Sequence, residues 1–145
     1  MSLILSDCIE FNEKRKKCVA YEKGKTYNLN NISNFIIRKV KVDKCLNQGI
    51  GEKRCDFLMD IEEVKRVFFI ELKGGDLDKA AKQLYQTIVY LKNEFVGFRI
   101  DARIVGSGDV PNFKNNASYR KLLKEILPTS GKIISATNKT YTENI

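Results

Sequence analysis

The chain has 145 residues, 43% of them hydrophobic and 30% charged, with a formal net charge of +8. This composition suits one globular domain over residues 1–145 and argues against a disordered chain; no apolar run approaches the ~20 residues that span a bilayer. Histidine is absent, which excludes Ser-His and Cys-His nucleophilic mechanisms and every imidazole acid or base.

The first residues, "MSLILSDCIEF", lack the basic and apolar regions of a secretory leader. "CIEFNEKRKK" reads as a short helix, and "KCVAYEKGKTYNL" as a hairpin around Gly24. Residues 1–55 hold 12 Lys/Arg against 6 Asp/Glu, whereas residues 56–145 hold 14 against 12. The basic half favours a polyanionic partner, most simply nucleic acid, although a Lys-rich surface also serves solubility. Lys14, Arg15, Lys16 and Lys17 are candidate phosphate contacts, with a solvated charge run as the plain alternative. The four cysteines, Cys8, Cys18, Cys45 and Cys55, lack the close pairs of a zinc site. They read as reduced thiols in a cytoplasmic protein.

From Phe35 the pattern sharpens. "FIIRKVKVDKCL" alternates like a half-buried strand. "NQGIGEK", punctuated by Gly49 and Gly51, reads as a loop. "RCDFLMDI" is a second strand, "EEVKR" a turn, and "VFFIELK" a third strand ended by Gly74 and Gly75. Asp76 is placed to cap a helix over Leu77–Phe95, whose apolar stripe contains Leu77, Ala80, Ala81, Leu84, Ile88, Leu91 and Phe95. Gly97 closes it. "FRIDARIVG" is a fourth strand, and "ASYRKLLKEIL" a second helix capped by Asn115 or Asn116 and stopped at Pro128. "KIISAT" is a last short strand before a polar tail. Short turns imply antiparallel pairing of the first three strands, and the long helix implies a parallel fourth. The fold class is α/β, a mixed central sheet flanked by helices.

Strand alternation puts Asp56, Leu58 and Asp60 on one face of strand two, and Phe69, Glu71 and Lys73 on one face of strand three. If Glu63 and Arg66 close the hairpin, Asp60 lies opposite Phe69, Leu58 opposite Glu71, and Asp56 opposite Lys73. A one-residue slip would scatter the cluster. Two carboxylates and a backbone carbonyl, here Asp56, Glu71 and Leu72, are hard oxygen donors suited to Mg²⁺. A neighbouring lysine would orient an attacking water. A structural ion pair between Glu71 and Lys73 is the plainer reading. Asp60 is the rival for Asp56.

The run "CDFLMDIEEVKRVFFIELKGG" resembles the catalytic core of the PD-(D/E)XK nuclease superfamily, which includes restriction enzymes and Holliday-junction resolvases. Its motif, an Asp on one strand followed on a neighbouring strand by an acidic residue, any residue and Lys, is matched by Asp56, Glu71, Leu72 and Lys73. The resemblance covers residues 36–106 and departs from the pattern at Cys55, which stands in place of proline. It implies a restriction-endonuclease-like core and Mg²⁺-dependent hydrolysis of DNA, with Mn²⁺ able to substitute. It also implies a helix residue supporting the site, which Gln83 suits better than the Gln86–Tyr90 pair. A further acidic residue from the N-terminal region, Glu10, Glu13 or Glu22, remains open. Lys53, Arg54 and Lys79 are candidates for holding a DNA backbone, and Lys82 joins Lys79 at the helix start. The expected partner is DNA, with a homodimer or a larger complex supplying what a short chain lacks. The competing expectation is a module of the same fold that binds nucleic acid or protein without cutting.

Overall fold

A computed structural model describes residues 5–46, 54–72, 76–106 and 113–145. The order is β1 (Ile9–Glu13), β2 (Lys17–Glu22), β3 (Lys25–Asn30), β4 (Ile37–Lys41), β5 (Phe57–Ile61), β6 (Arg66–Leu72), α1 (Leu77–Leu91), β7 (Arg99–Val105), α2 (Ala117–Ile126), β8 (Ile133–Ala136) and β9 (Thr140–Asn144). The main sheet runs β1-β4-β5-β6-β7-β8, and a second sheet runs β2-β3-β9. β1, β4, β5 and β6 pair antiparallel, whereas β6, β7 and β8 pair parallel. The mixed α/β architecture expected from the sequence is present. No helix among the described residues is long and apolar enough to cross a membrane.

Both helices cover one face of the main sheet, around Leu58, Phe69, Leu84, Ile88 and Leu122. The second sheet is packed on the other face, around Tyr27, Leu29, Phe57, Phe68 and Ile70. A strand covered on both sides needs apolar residues on both, which is why "VFFI" runs unbroken through β6. The second sheet also explains the alternating charges of β7. Asp101 and Arg103 are buried, not solvated, and Arg103 Nε donates to Glu143 Oε2 of β9 at 2.6 Å.

The helix starts follow the capping chemistry. The Asp76 carboxylate accepts the Lys79 N–H at 3.0 Å. Asn116, not Asn115, caps α2 by accepting from the N–H groups of Ser118 and Tyr119. α1 ends at Leu91, and Lys92–Phe95 tightens into a 3₁₀ turn.

Three N- and C-terminal expectations are corrected. Residues 9–13 form a strand, because β1 completes the main sheet beside β4. The polar tail contains β9, which is held parallel to β3. Cys8 and Cys45 form a disulfide with Cα atoms 6.0 Å apart, whereas all four thiols were expected to be reduced. The β1–β4 pairing, Ile9 opposite Val40, carries Cys8 to the turn that follows β4. Cys18 and Cys55 remain free and buried.

Candidate active site

The geometry of the site rests on the β5–β6 hairpin. Its observed register pairs Ile61 with Arg66, Asp60 with Val67, Leu58 with Phe69 and Phe57 with Ile70. This differs from the expected register by two residues, so every side chain keeps its face while its partner changes. The cause is the turn. Glu62–Val64 winds into a 3₁₀ turn and Lys65 takes a left-handed conformation at φ 52°, giving a four-residue connection. Glu63 and Arg66 therefore do not close the hairpin; Arg66 instead bonds Asp101 across the β6–β7 pair. One further step along this register sets Asp56 beside Glu71, not opposite position 73.

Asp56 is pinned tightly. Its Oδ2 accepts the Leu72 N–H at 2.7 Å, and its backbone carbonyl accepts the Val42 N–H at 3.0 Å. Only 8% of Asp56 and 1% of Glu71 is exposed. Burial is the largest influence on the Asp56 carboxyl and raises its pKa; the Leu72 N–H opposes this, the Glu22 charge adds to it, a hydrogen bond with Glu71 opposes it, and Asp43 raises it again. The charges bearing most on Asp56 are thus other carboxylates. Beside them burial pushes the Cys55 thiol well up, and Glu71 adds to the rise.

Of the three acidic residues left open by the sequence, Glu22 is the one whose charge reaches Asp56; Glu10 and Glu13 pair with Lys39 and Arg15. Glu22 arrives through the β2–β3 turn, which folds over the end of β7. Gly106 has φ 80°, a left-handed conformation that favours glycine, and the Lys25 side chain lies against it, 2.4 Å from where a Cβ would stand. Lys41 approaches Glu22 at 3.9 Å. The site end therefore has two cations, Lys25 and Lys41, that the sequence reading did not single out.

α1 holds the strand that leads to Asp56. Gln83 is buried, facing the sheet as expected. Thr87 was missed. Its hydroxyl donates to the Gln83 carbonyl at 2.7 Å and accepts the Cys55 N–H at 2.9 Å. The available signal was a polar residue one turn after Gln83, lying within the apolar stripe. Arg54, expected at a DNA backbone, is only 4% exposed and lies 4.4 Å from the Tyr90 ring centre. It braces the approach to Asp56 against α1 and is not presented to solvent. Gln86, Lys79 and Lys82 are exposed, with Lys82 paired to Asp78.

The other candidates lie elsewhere. Asp60 shares the face of Asp56 but sits at the opposite end of the sheet, where Arg38 Nε donates to it at 2.7 Å. Lys14, Arg15, Lys16 and Lys17 follow β1 at that same distant end, because Glu13 pairs with Ile37. Lys53, Lys73, Gly49, Gly51, Gly74 and Gly75 lie outside the described residues.

The donor chemistry fits a divalent cation. Asp56 and Glu71 are hard oxygen donors on neighbouring strands. Among the described residues, no three His, Cys, Asp or Glu side chains converge as a metal-binding group, so the unit is a carboxyl pair with Glu22 and Asp43 in its field. Compared with known proteins, the chain matches no family model, no curated protein and no solved structure.

Proposed function

We propose that the chain is a Mg²⁺-dependent nuclease of the PD-(D/E)XK type that hydrolyses phosphodiester bonds in DNA. The observation that carries this reading is the hairpin register, which sets two buried carboxyl groups side by side at the end of β6, where α1 begins. Asp56 and Glu71 would hold the cation, with the Leu72 carbonyl as a third oxygen donor. A bound cation supplies Lewis acidity and a water of lowered pKa.

The chain's own residues do the rest. The Leu72 N–H fixes one oxygen of Asp56 and leaves the other for the cation. Thr87 and Gln83 hold the backbone before Asp56 in place. Lys73, the lysine of the motif, would orient the water that attacks phosphorus as the P–O bond to the leaving strand breaks. Lys25, Lys41 and Lys79 supply positive charge at this end for the DNA backbone.

A second reading is a nuclease-fold module that binds without cutting. The depth of Glu71 favours it, because Mg²⁺ ordinarily retains several waters. Incubation with linear, branched and single-stranded DNA in Mg²⁺ or Mn²⁺ separates the two. Metal-dependent cleavage that disappears in Glu71→Ala and Lys73→Ala supports the enzyme. Binding without cleavage of any substrate supports the module.

A further inference from the structure

The end of the sheet far from Asp56 has an unusual surface. The residues flanking the strand ends there are fixed by register: β4 begins at Ile37, β5 ends at Ile61, β6 begins at Arg66 and β7 begins opposite it at Arg99. Three large apolar residues stand exposed beside those ends, Ile36 at 52%, Val64 at 43% and Val96 at 78%. At this end a cavity of about 840 Å³ opens on the helix side, whose lining includes Ile36, Arg38, Asp60, Glu62, Glu63 and Glu94. Asp60 is answered by Arg38 and Glu62 by Lys65. Glu63 and Glu94 form no ion pair among the described residues.

The same end also carries the basic run that follows β1. Arg15 is occupied by Glu13 and by the Phe11 ring, 3.8 Å from its guanidinium. Lys14, Lys16 and Lys17 are exposed and have no ion pair among the described residues. An acidic cavity and a basic run thus occupy one end of one chain without meeting each other.

A surface bearing both members of a complementary pair is what a two-fold interface requires, since each contact from one copy to the other is made twice. We propose that this end of the sheet joins two copies of the chain, with the Lys14–Lys17 run of each entering the acidic cavity of the other. Ile36, Val64 and Val96 become the apolar ring that excludes water around these contacts. Both Asp56–Glu71 sites then face away from the interface, and the pairing does not depend on whether the chain cleaves DNA.

Light scattering coupled to size exclusion tests this on the whole chain. The expected species at about 0.1 M salt has twice the mass of one chain and dissociates towards about 1 M, where charge contacts are screened. Lys16→Glu/Lys17→Glu and Glu63→Lys/Glu94→Lys should each be monomeric, with unchanged circular dichroism. An equimolar mixture of these two variants should regain the doubled mass, which misfolded variants could not do. A wild-type monomer overturns the proposal, as does a dimer indifferent to both double variants. A wild-type monomer that captures an oligolysine peptide also overturns it, and assigns the cavity to a basic partner instead.

Discussion

Two buried groups of charge flank β6 and β7, and they are built on opposite principles. Around Asp101, carboxylates are met by guanidinium groups. Arg66 and Arg99 both reach Asp101, and Arg103 joins it to Glu143. Tyr27 completes the set by donating to Glu143 at 2.7 Å. Around Asp56, the influential neighbours are Glu71, Glu22 and Asp43, all acidic. The first arrangement satisfies buried charge within the chain and fastens β9 to the main sheet. In the second, burial and the charges of Glu22 and Asp43 work against the negative charge of Asp56. A cation supplied from solution would compensate it.

The contrast can be tested from either side. Arg103→Met should have the largest effect, because it takes a partner from the buried Asp101 and from the half-buried Glu143. A stability loss of about 3–5 kcal/mol is expected from denaturant unfolding. Removing a carboxylate from the other group should act on chemistry instead. Glu71→Ala should reduce DNA cleavage by about 10²–10³-fold, the scale of losing one charge-stabilising element, while the circular dichroism stays native.

Smaller effects sharpen the comparison. Thr87→Val removes the acceptor of the Cys55 N–H and should cost about 1–3 kcal/mol, with Thr87→Ser restoring it. Asp56→Asn should do the reverse of Arg103→Met. The Asp56 pKa is raised in the folded chain above its ordinary 3.8, so its contribution to stability is greatest below that value and is lost as pH rises through the raised one. Asp56→Asn should therefore raise the melting temperature at neutral pH, and by less at acid pH. Cleavage by this variant should be lost.

These two groups were not equally legible in the sequence. Alternation together with the assumed Glu63–Arg66 closure placed Asp56 and Glu71 on one face, and the observed register differs from it by two residues, which preserves parity. The slip itself was hidden, since apolar residues occupy both faces of β5 and β6 and leave burial unable to choose. Asp76 and the apolar stripe of α1 declared their helix through local capping and periodicity. The Asp101 group was illegible for a different reason. Its partner Glu143 comes from β9, a polar strand that pairs along the parallel edge of β3. The same long-range pairing hid the Cys8–Cys45 bond, which depends on β1 lying beside β4. Thr87 was concealed by its small size within an otherwise apolar stripe.

The central claim is that Asp56 and Glu71 form a divalent-cation site. Calorimetric titration of Mn²⁺ into the wild-type chain and Asp56→Asn, in buffers of different ionisation heat, tests it most directly. The account predicts binding that releases a proton, weakens as pH falls and is lost in the variant. Absence of binding by the wild type, or equal binding by both proteins, would contradict it.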